Sequence, residues 1–185
     1  VLGYYLIADE MKDKELSELV KRIGLVEGMP VVTNPGIIDP EKFADEVINV
    51  RIPNPFMPDT PQRIATDTSQ KVGIRYGETI KSYVAKDGSA RALTAIPLAI
   101  AGWCRYLLGI DDNGEAFELS PDPMADELKC QLDGIVWGES SSYTGQLKNL
   151  LSNANIFGIN LYEAGIGDKI EEMFVEEISG KGAIR

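Results

Sequence analysis

Residues 93–108 are apolar on nearly every side of a helical wheel, with Pro97 and Arg105 as the interruptions. A helix of that composition persists only where other elements wrap it on all flanks, so a core must be built around it. Gly109 then ends the helix, and the run is too short and too broken for a membrane span or a signal peptide. At 185 residues the chain has material for about one domain, and its 44% hydrophobic content is that of an ordinary globular protein.

The wrapping segments read as helices as well. Residues 1–11, continued by Leu16, Leu19, Val20, Ile23 and Val26, predict a helix with one apolar face, closed by Gly28 and Pro30. Asn34, Pro35 and Gly36 form a turn cluster, after which Asp39 as N-cap and Pro40 at the first helical position open a helix to about Val50. Phe43, Val47 and Val50 are expected to face inward along it. Pro53, Pro55 and Pro58 cannot share a helix, so residues 52–59 are expected to be an extended, irregular strip. Thr60 caps a helix from Pro61 to about Ser69 or Lys71, and another runs from Glu78 to about Ala85, ended by Asp87 and Gly88.

Beyond the central helix, Asp112, Asn113 and Gly114 form a tight turn, and Asp122 with Pro123 opens a helix to about Leu132. A short helix covers Gln146 to Ser152, and a last one covers about Leu161 to Ile178. In the last, Ile166, Ile170, Phe174 and Ile178 lie on one stripe against Glu171, Glu172, Glu176 and Glu177. No repeat, linker or βαβ alternation is present, and the expected fold is all-α, a multi-helix bundle around a central apolar helix.

A net charge of −11 repels nucleic-acid phosphates and anionic lipid, so neither nucleic acid nor a membrane is an expected partner. The histidine count is zero, which removes from this chain a Ser-His-Asp triad, a Cys-His pair and a histidine-ligated metal. Cys104 and Cys130 fall in expected helices, have no CxxC spacing and read as buried, reduced thiols of a cytoplasmic protein. Three short motifs read as plain structure. Gly165 and Gly167 have no preceding strand, the Asp111–Gly114 turn lacks a calcium loop's distal glutamate, and Ser140–Ser142 lack the glycines of a nucleophile elbow. No metal is expected.

Arg63, Asp67 and Lys71 are spaced by four and four, which on one continuous helix places all three on a single face. The simpler reading is a solvated face with i,i+4 ion pairs. The other is that Arg63 and Lys71 project into a cleft to bind hydroxyls, a carboxylate or a phosphate, with Asp67 between them holding both.

The run Arg51-Ile-Pro-Asn54-Pro-Phe-Met-Pro-Asp59-Thr60-Pro-Gln-Arg63-Ile-Ala-Thr-Asp67-Thr-Ser69-Gln-Lys71 resembles the signature strip of the mannitol dehydrogenase family, the polyol-specific long-chain dehydrogenases. A second block is similar to the same family's domain from its central helix onward. It runs Gly102-Trp103-Cys-Arg105-Tyr106-Leu-Leu-Gly109-Ile-Asp111-Asp-Asn-Gly114 and then Asp122-Pro123. The resemblance covers essentially the whole chain. It implies that residues 1–185 are the C-terminal, substrate-binding domain of such an enzyme, with a fold resembling the 6-phosphogluconate dehydrogenase C-terminal-like domain.

By the same resemblance, NAD or NADP is bound mainly by an N-terminal Rossmann domain that this chain lacks and that is its expected partner. The family's catalytic lysine, asparagine and histidine follow a K-x5-N-x2-H pattern just before the segment resembling residues 1–11, so they are expected upstream of Val1, and the isolated chain is expected to be inactive. A start at Val1 without methionine fits a piece of a longer polypeptide. Carried over residue by residue, Arg63 and Lys71 match positions that contact substrate oxygens, while Asn54, Asp59 and Asp67 match the strip in supporting roles. Mannitol, arabinitol, their phosphates and hexonates all fit such a site. The rival expectation is a non-catalytic helical module that docks a partner helix on the stripe Ile166, Ile170, Phe174, Ile178.

Overall fold

A computed structural model describes residues 6–57 and 59–180. The part of the first expected helix that falls on residues 1–5 lies outside the described residues, as does Pro58. Two compact units are present, Val1–Thr66 and Asp67–Arg185. Among the described residues the regular structure is helical, and the only strand-like pairings are the isolated bridges of Ile110 with Ala116 and Val136 with Glu139. The fold is all-α. No helix among the described residues is long and apolar enough to cross a membrane.

The first unit holds α1 (Ile7–Glu10), α2 (Lys14–Lys21), α3 (Pro40–Glu46) and α4 (Pro61–Ile64). The single helix expected up to Gly28 is broken between α1 and α2, because the Asp13 carboxylate accepts from the backbone N–H of Glu15 and Leu16 and so starts a new helix there. α2 widens into a π-helical turn, Arg22–Gly28, and continues past Gly28 as the 3-10 turn Met29–Val31, where Pro30 is tolerated in the opening turn. Asp39 caps α3 as expected, accepting from Glu41 and Lys42.

The inward face of that helix differs from the expectation. Ile48 is buried, whereas Phe43 and Val50 are exposed and Val47 is half-buried. Past Val47 the helix widens into the π-helical turn Val47–Arg51, in which Ile52 N–H donates to the Val47 carbonyl at 2.9 Å, whereas Phe43 lies before that turn with the Arg51 guanidinium 5.4 Å from its ring centre. One extra residue per turn rotates the side-chain phase away from the α-helical pattern. Ile48 then packs against Gly24, where an added Cβ would stand 2.8 Å from its Cδ1. Residues 52–57 are a chain of turns rather than an extended strip: Asn54 N–H donates to the Arg51 carbonyl, Met57 N–H to the Asn54 carbonyl, and the Asn54 side chain accepts from Phe56 N–H at 2.9 Å. Proline fixes φ but not ψ, and an asparagine whose side chain mimics a turn draws the strip into a bend.

The second unit begins with α5 (Thr68–Val72), which passes through the π-helical turn Gly73–Gly77 into α6 (Glu78–Asp87), closed by Gly88 in the left-handed region at φ 73°. Residues 72–77, unassigned by sequence periodicity, are therefore helical. Gly73 and Gly77 lie against the backbone of α10 (Ala154–Phe157), which follows α8 (Ala125–Gln131) and α9 (Lys148–Leu151). The central helix is α7 (Ala95–Tyr106), buried along most of its length as its composition demands. α11 (Gly167–Glu177) packs along it, and Ile166, Ile170, Phe174 and Ile178 are fully buried. Burying each such side chain stabilises by about 1.5–3 kcal/mol, so this stripe is core and offers no face to a partner helix. Trp103 meets Phe157 edge-on at 5.9 Å, tying α7 to α10.

Candidate functional site

The signature strip forms two local assemblies, one in each unit. In the first, Thr60 caps α4 through its hydroxyl, and Arg63 follows within the same turn. Arg63 grips Asp59 as a fork: Nε donates to Oδ1 at 2.5 Å and Nη2 to Oδ2. The guanidinium is 73% exposed and the carboxylate 27%, so the acid is the anchored partner and the cation faces outward. The hydrogen bond from Arg63 holds the Asp59 carboxyl below its ordinary range, and Asp59 in turn raises Arg63. Arg63 therefore stays a fixed, permanently charged donor whose remaining N–H groups are free of the Asp59 fork. Asn54 Oδ1 accepts from Phe56 N–H at 2.9 Å in the turn that precedes this assembly in the chain.

In the second assembly, Asp67 stands in the left-handed region at φ 54° and its N–H donates to the Pro121 carbonyl at 2.9 Å. A non-glycine residue in that region ends a right-handed helix, so α4 stops at Ile64 and α5 starts anew at Thr68. The expectation that Arg63, Asp67 and Lys71 share one continuous helix face is thus corrected: the helix is interrupted at Asp67, and the carboxylate that grips Arg63 is that of Asp59, four residues before it. The carbonyl of Asp67 instead receives N–H bonds from Gln70 and Lys71 at 3.2 Å each, opening the helix that carries Lys71. Lys71 is half-buried near the end of α5.

Sequence reasoning missed Asp122. Expected to open a helix together with Pro123, it instead forms the turn before it, with Met124 N–H donating to Oδ1 at 3.0 Å and α8 starting only at Ala125, and it also reaches α5. Oδ2 accepts from Ser69 N–H at 2.7 Å and from the Thr68 hydroxyl at 3.1 Å, and Oδ1 accepts from the Ser69 hydroxyl at 2.5 Å. Burial pushes the Asp122 carboxyl up, but the bonds from Ser69, Met124 and Thr68 outweigh it and leave it below the ordinary range. No local spacing signals a contact made across 53 residues.

The second signature block is structural. Arg105 lies with its guanidinium 4.0 Å from the Trp137 ring centre and donates to the Ile110 carbonyl, while Asp111 Oδ1 accepts from Asn113 and Glu115 N–H at 2.8 Å each. This is a surface turn, as the sequence suggested. Behind it, Glu177 Oε2 is buried without a hydrogen-bond partner. Burial raises the carboxyl from 4.5 to about 8, against the opposing pull of Arg105. Because the folded chain keeps a proton that the unfolded chain releases above pH about 4.5, stability is fullest below that value and falls as pH rises through about 8. Glu177→Gln is expected to flatten this slope and to stabilise the chain at pH 8 by on the order of 1–3 kcal/mol. Urea midpoints of both proteins at pH 5 and pH 8 check it, and parallel pH dependences would contradict it.

Gly165 and Gly167 make no cradle for nucleotide phosphates. Gly165 packs against Ser89 and Arg91, and a Cβ at Gly167 would strike the Tyr162 ring. Nothing in this glycine pair fits a dinucleotide.

The helical arrangement is that of a known dehydrogenase: 94% of the chain superposes on 33% of the Pseudomonas fluorescens mannitol 2-dehydrogenase ternary complex with NAD and D-mannitol, with a TM-score of 0.77 at 22% identity. The chain belongs to the mannitol dehydrogenase C-terminal domain family, whose model matches residues 1–178. It is 55% identical over its whole length to 34% of a D-mannonate oxidoreductase from Thermotoga maritima. A D-mannonate oxidoreductase from Escherichia coli is 31% identical over 69% of the chain and 25% of its own length. The chain thus spans about a third of the length of the Thermotoga relative.

Proposed function

We propose that this chain is the substrate-orienting domain of an NAD(P)-dependent oxidoreductase that interconverts a sugar acid, or a related polyol, with the matching ketouronate or ketose. The observation that carries this reading is the 55% identity, along the entire chain, to a D-mannonate oxidoreductase. The two cations of the signature strip suit either substrate, since they can donate to hydroxyls and give a carboxylate terminus charge-assisted bonds, so the preference for the acid rests on the D-mannonate oxidoreductase relative. Residues 1–185 act in one substrate-binding role, Arg63 and Lys71 touch the substrate's oxygens, and Asp59, Asn54 and Asp67 shape the two assemblies that present them. An N-terminal Rossmann domain holds the nicotinamide nucleotide, and the lysine acid/base stands just upstream of the segment formed by residues 1–11.

The bound nicotinamide supplies hydride acceptance and return. What this chain contributes is orientation. A polyhydroxylated substrate has several nearly equivalent secondary alcohols, and fixed donors at one end select which carbon faces the reacting centre. A misplacement of about 1 Å there costs roughly a hundredfold in rate. Arg63, held by Asp59, is such a fixed donor.

The test expresses the complete polypeptide and follows NAD(P)-linked oxidation of hexonates, mannitol and arabinitol. Turnover is expected, highest with a hexonate. Absence of redox activity with every one of them would contradict the proposal.

A further inference from the structure

We propose that Asp122 is a positioning residue for Lys71, acting through Thr68 and Ser69. The inference rests on the reading of Lys71 as a substrate contact. α5 has no local side-chain cap, because Asp67 sits in the left-handed region and its carboxylate takes no hydrogen bond from the first turn. Helix starts leave backbone N–H groups without partners, and an uncapped first turn frays. Here the loop at residues 121–122 supplies what is missing. The Pro121 carbonyl takes the Asp67 N–H, and the Asp122 carboxylate takes the Ser69 N–H together with the hydroxyls of Thr68 and Ser69. Ser69 is 2% exposed and Asp122 is half-buried, so these bonds are partly shielded from water.

The arrangement bears on Lys71 because α5 is short and Lys71 lies two residues beyond Ser69. The Lys71 N–H donates to the Asp67 carbonyl, a bond that closes the first turn of the helix. Downstream, Gly73 and Gly77 seat the chain directly on α10, so that side is already fixed. The upstream side is held by Asp122, and Lys71 stands between the two anchors. Loss of the upstream anchor releases the first turn and with it the origin of the Lys71 side chain. Useful binding geometry tolerates about 0.5 Å, which a frayed turn exceeds. Asp122 itself also sets the turn into α8, so the loop and α5 move as one assembly.

The experiment is a double-mutant cycle in the complete enzyme, with Asp122→Asn, Lys71→Ala and the pair, read as KM for a hexonate, KM for NAD(P) and kcat. Asp122→Asn keeps the size of the side chain but replaces an acceptor oxygen with a donor facing Ser69 and Thr68. It is expected to raise the hexonate KM roughly tenfold and to leave the nucleotide KM unchanged. In the Lys71→Ala background the same change is expected to add less than about twofold, since the residue it positions is gone. An equal loss with and without Lys71, or a parallel rise in the nucleotide KM, would overturn the proposal and make Asp122 a purely structural cap. Should Asp122→Asn fail to fold, Ser69→Ala keeps the carboxylate, removes one donor, and must show the same hexonate-selective loss that vanishes without Lys71. If Lys71→Ala alone leaves all constants unchanged, the substrate role of Lys71 falls first, and the positioning role with it.

Discussion

Gly73→Ala and Gly77→Ala are each expected to destabilise the 67–185 unit by on the order of 3 kcal/mol, among the largest effects available from adding one methyl group. A Cβ at Gly73 would enter the van der Waals envelope of the Ile156 carbonyl oxygen, and one at Gly77 that of the Phe157 carbonyl oxygen. Both obstacles are backbone, and they belong to a helix capped by Asn153 and fixed by Phe157 against Trp103, so neither withdraws cheaply. Alanine's better helix propensity returns about 1 kcal/mol, which is not enough to offset the clash. Gly102→Ala is the matched control. It sits in α7 with its nearest outside atom, Glu177 Oε1, at 3.8 Å, so the same substitution is expected to be neutral or slightly stabilising. Urea unfolding followed by circular dichroism checks all three. Wild-type stability in Gly73→Ala would show that the helical run from Thr68 to Asp87 does not rest on α10.

Arg63→Ala and Lys71→Ala in the complete enzyme are each expected to lower kcat/KM for a sugar acid by roughly ten- to a hundredfold, with the nucleotide KM unchanged. Arg63 spends its Nε and one Nη2 donor on Asp59, and an arginine has further donors in the same plane for a substrate oxygen. Its large exposure makes it a poor contributor to folding, so a kinetic loss without a loss of stability is expected. Asp59→Asn keeps both side chains' shapes but removes the carboxylate charge, and a smaller loss of the same kind is expected as the fork loosens. The effect should be greater on a hexonate than on mannitol, because only the former carries a charge for the cations to meet. Unchanged kinetics in Arg63→Ala would return that residue to a solvated surface.

Much of the helical fold was legible because its signals are local. The all-round apolar composition at residues 93–108 required a wrapped helix, and α7 is that helix. The four-residue stripe from Ile166 to Ile178 required a buried face, and all four residues are buried. The caps at Asp39 and Thr60 depend on side chains within three residues and were placed correctly. Illegible features are those decided by packing at a distance. A π-helical turn shifts the side-chain phase by one residue, which moves Val50 off the buried face beyond Val47, while Phe43, before that turn, is exposed beneath the Arg51 guanidinium. The left-handed turn at Asp67 is held by the Pro121 carbonyl, so nothing near residue 67 announces that the helix ends there. For the same reason Arg63, Asp67 and Lys71, despite their i,i+4 spacing, do not lie on one helix, and the fork on Arg63 comes from Asp59. The contact of Asp122 with Ser69 lies beyond any local pattern.

In the proposed division of labour, substrate orientation falls to this chain and nucleotide binding to another domain. The most direct test is the melting temperature of the isolated chain, measured with and without saturating NAD(P)H. A ligand that binds the folded state raises the melting temperature in proportion to its occupancy. The division predicts no change. A clear stabilisation by the nucleotide would place a binding site on these residues and contradict it.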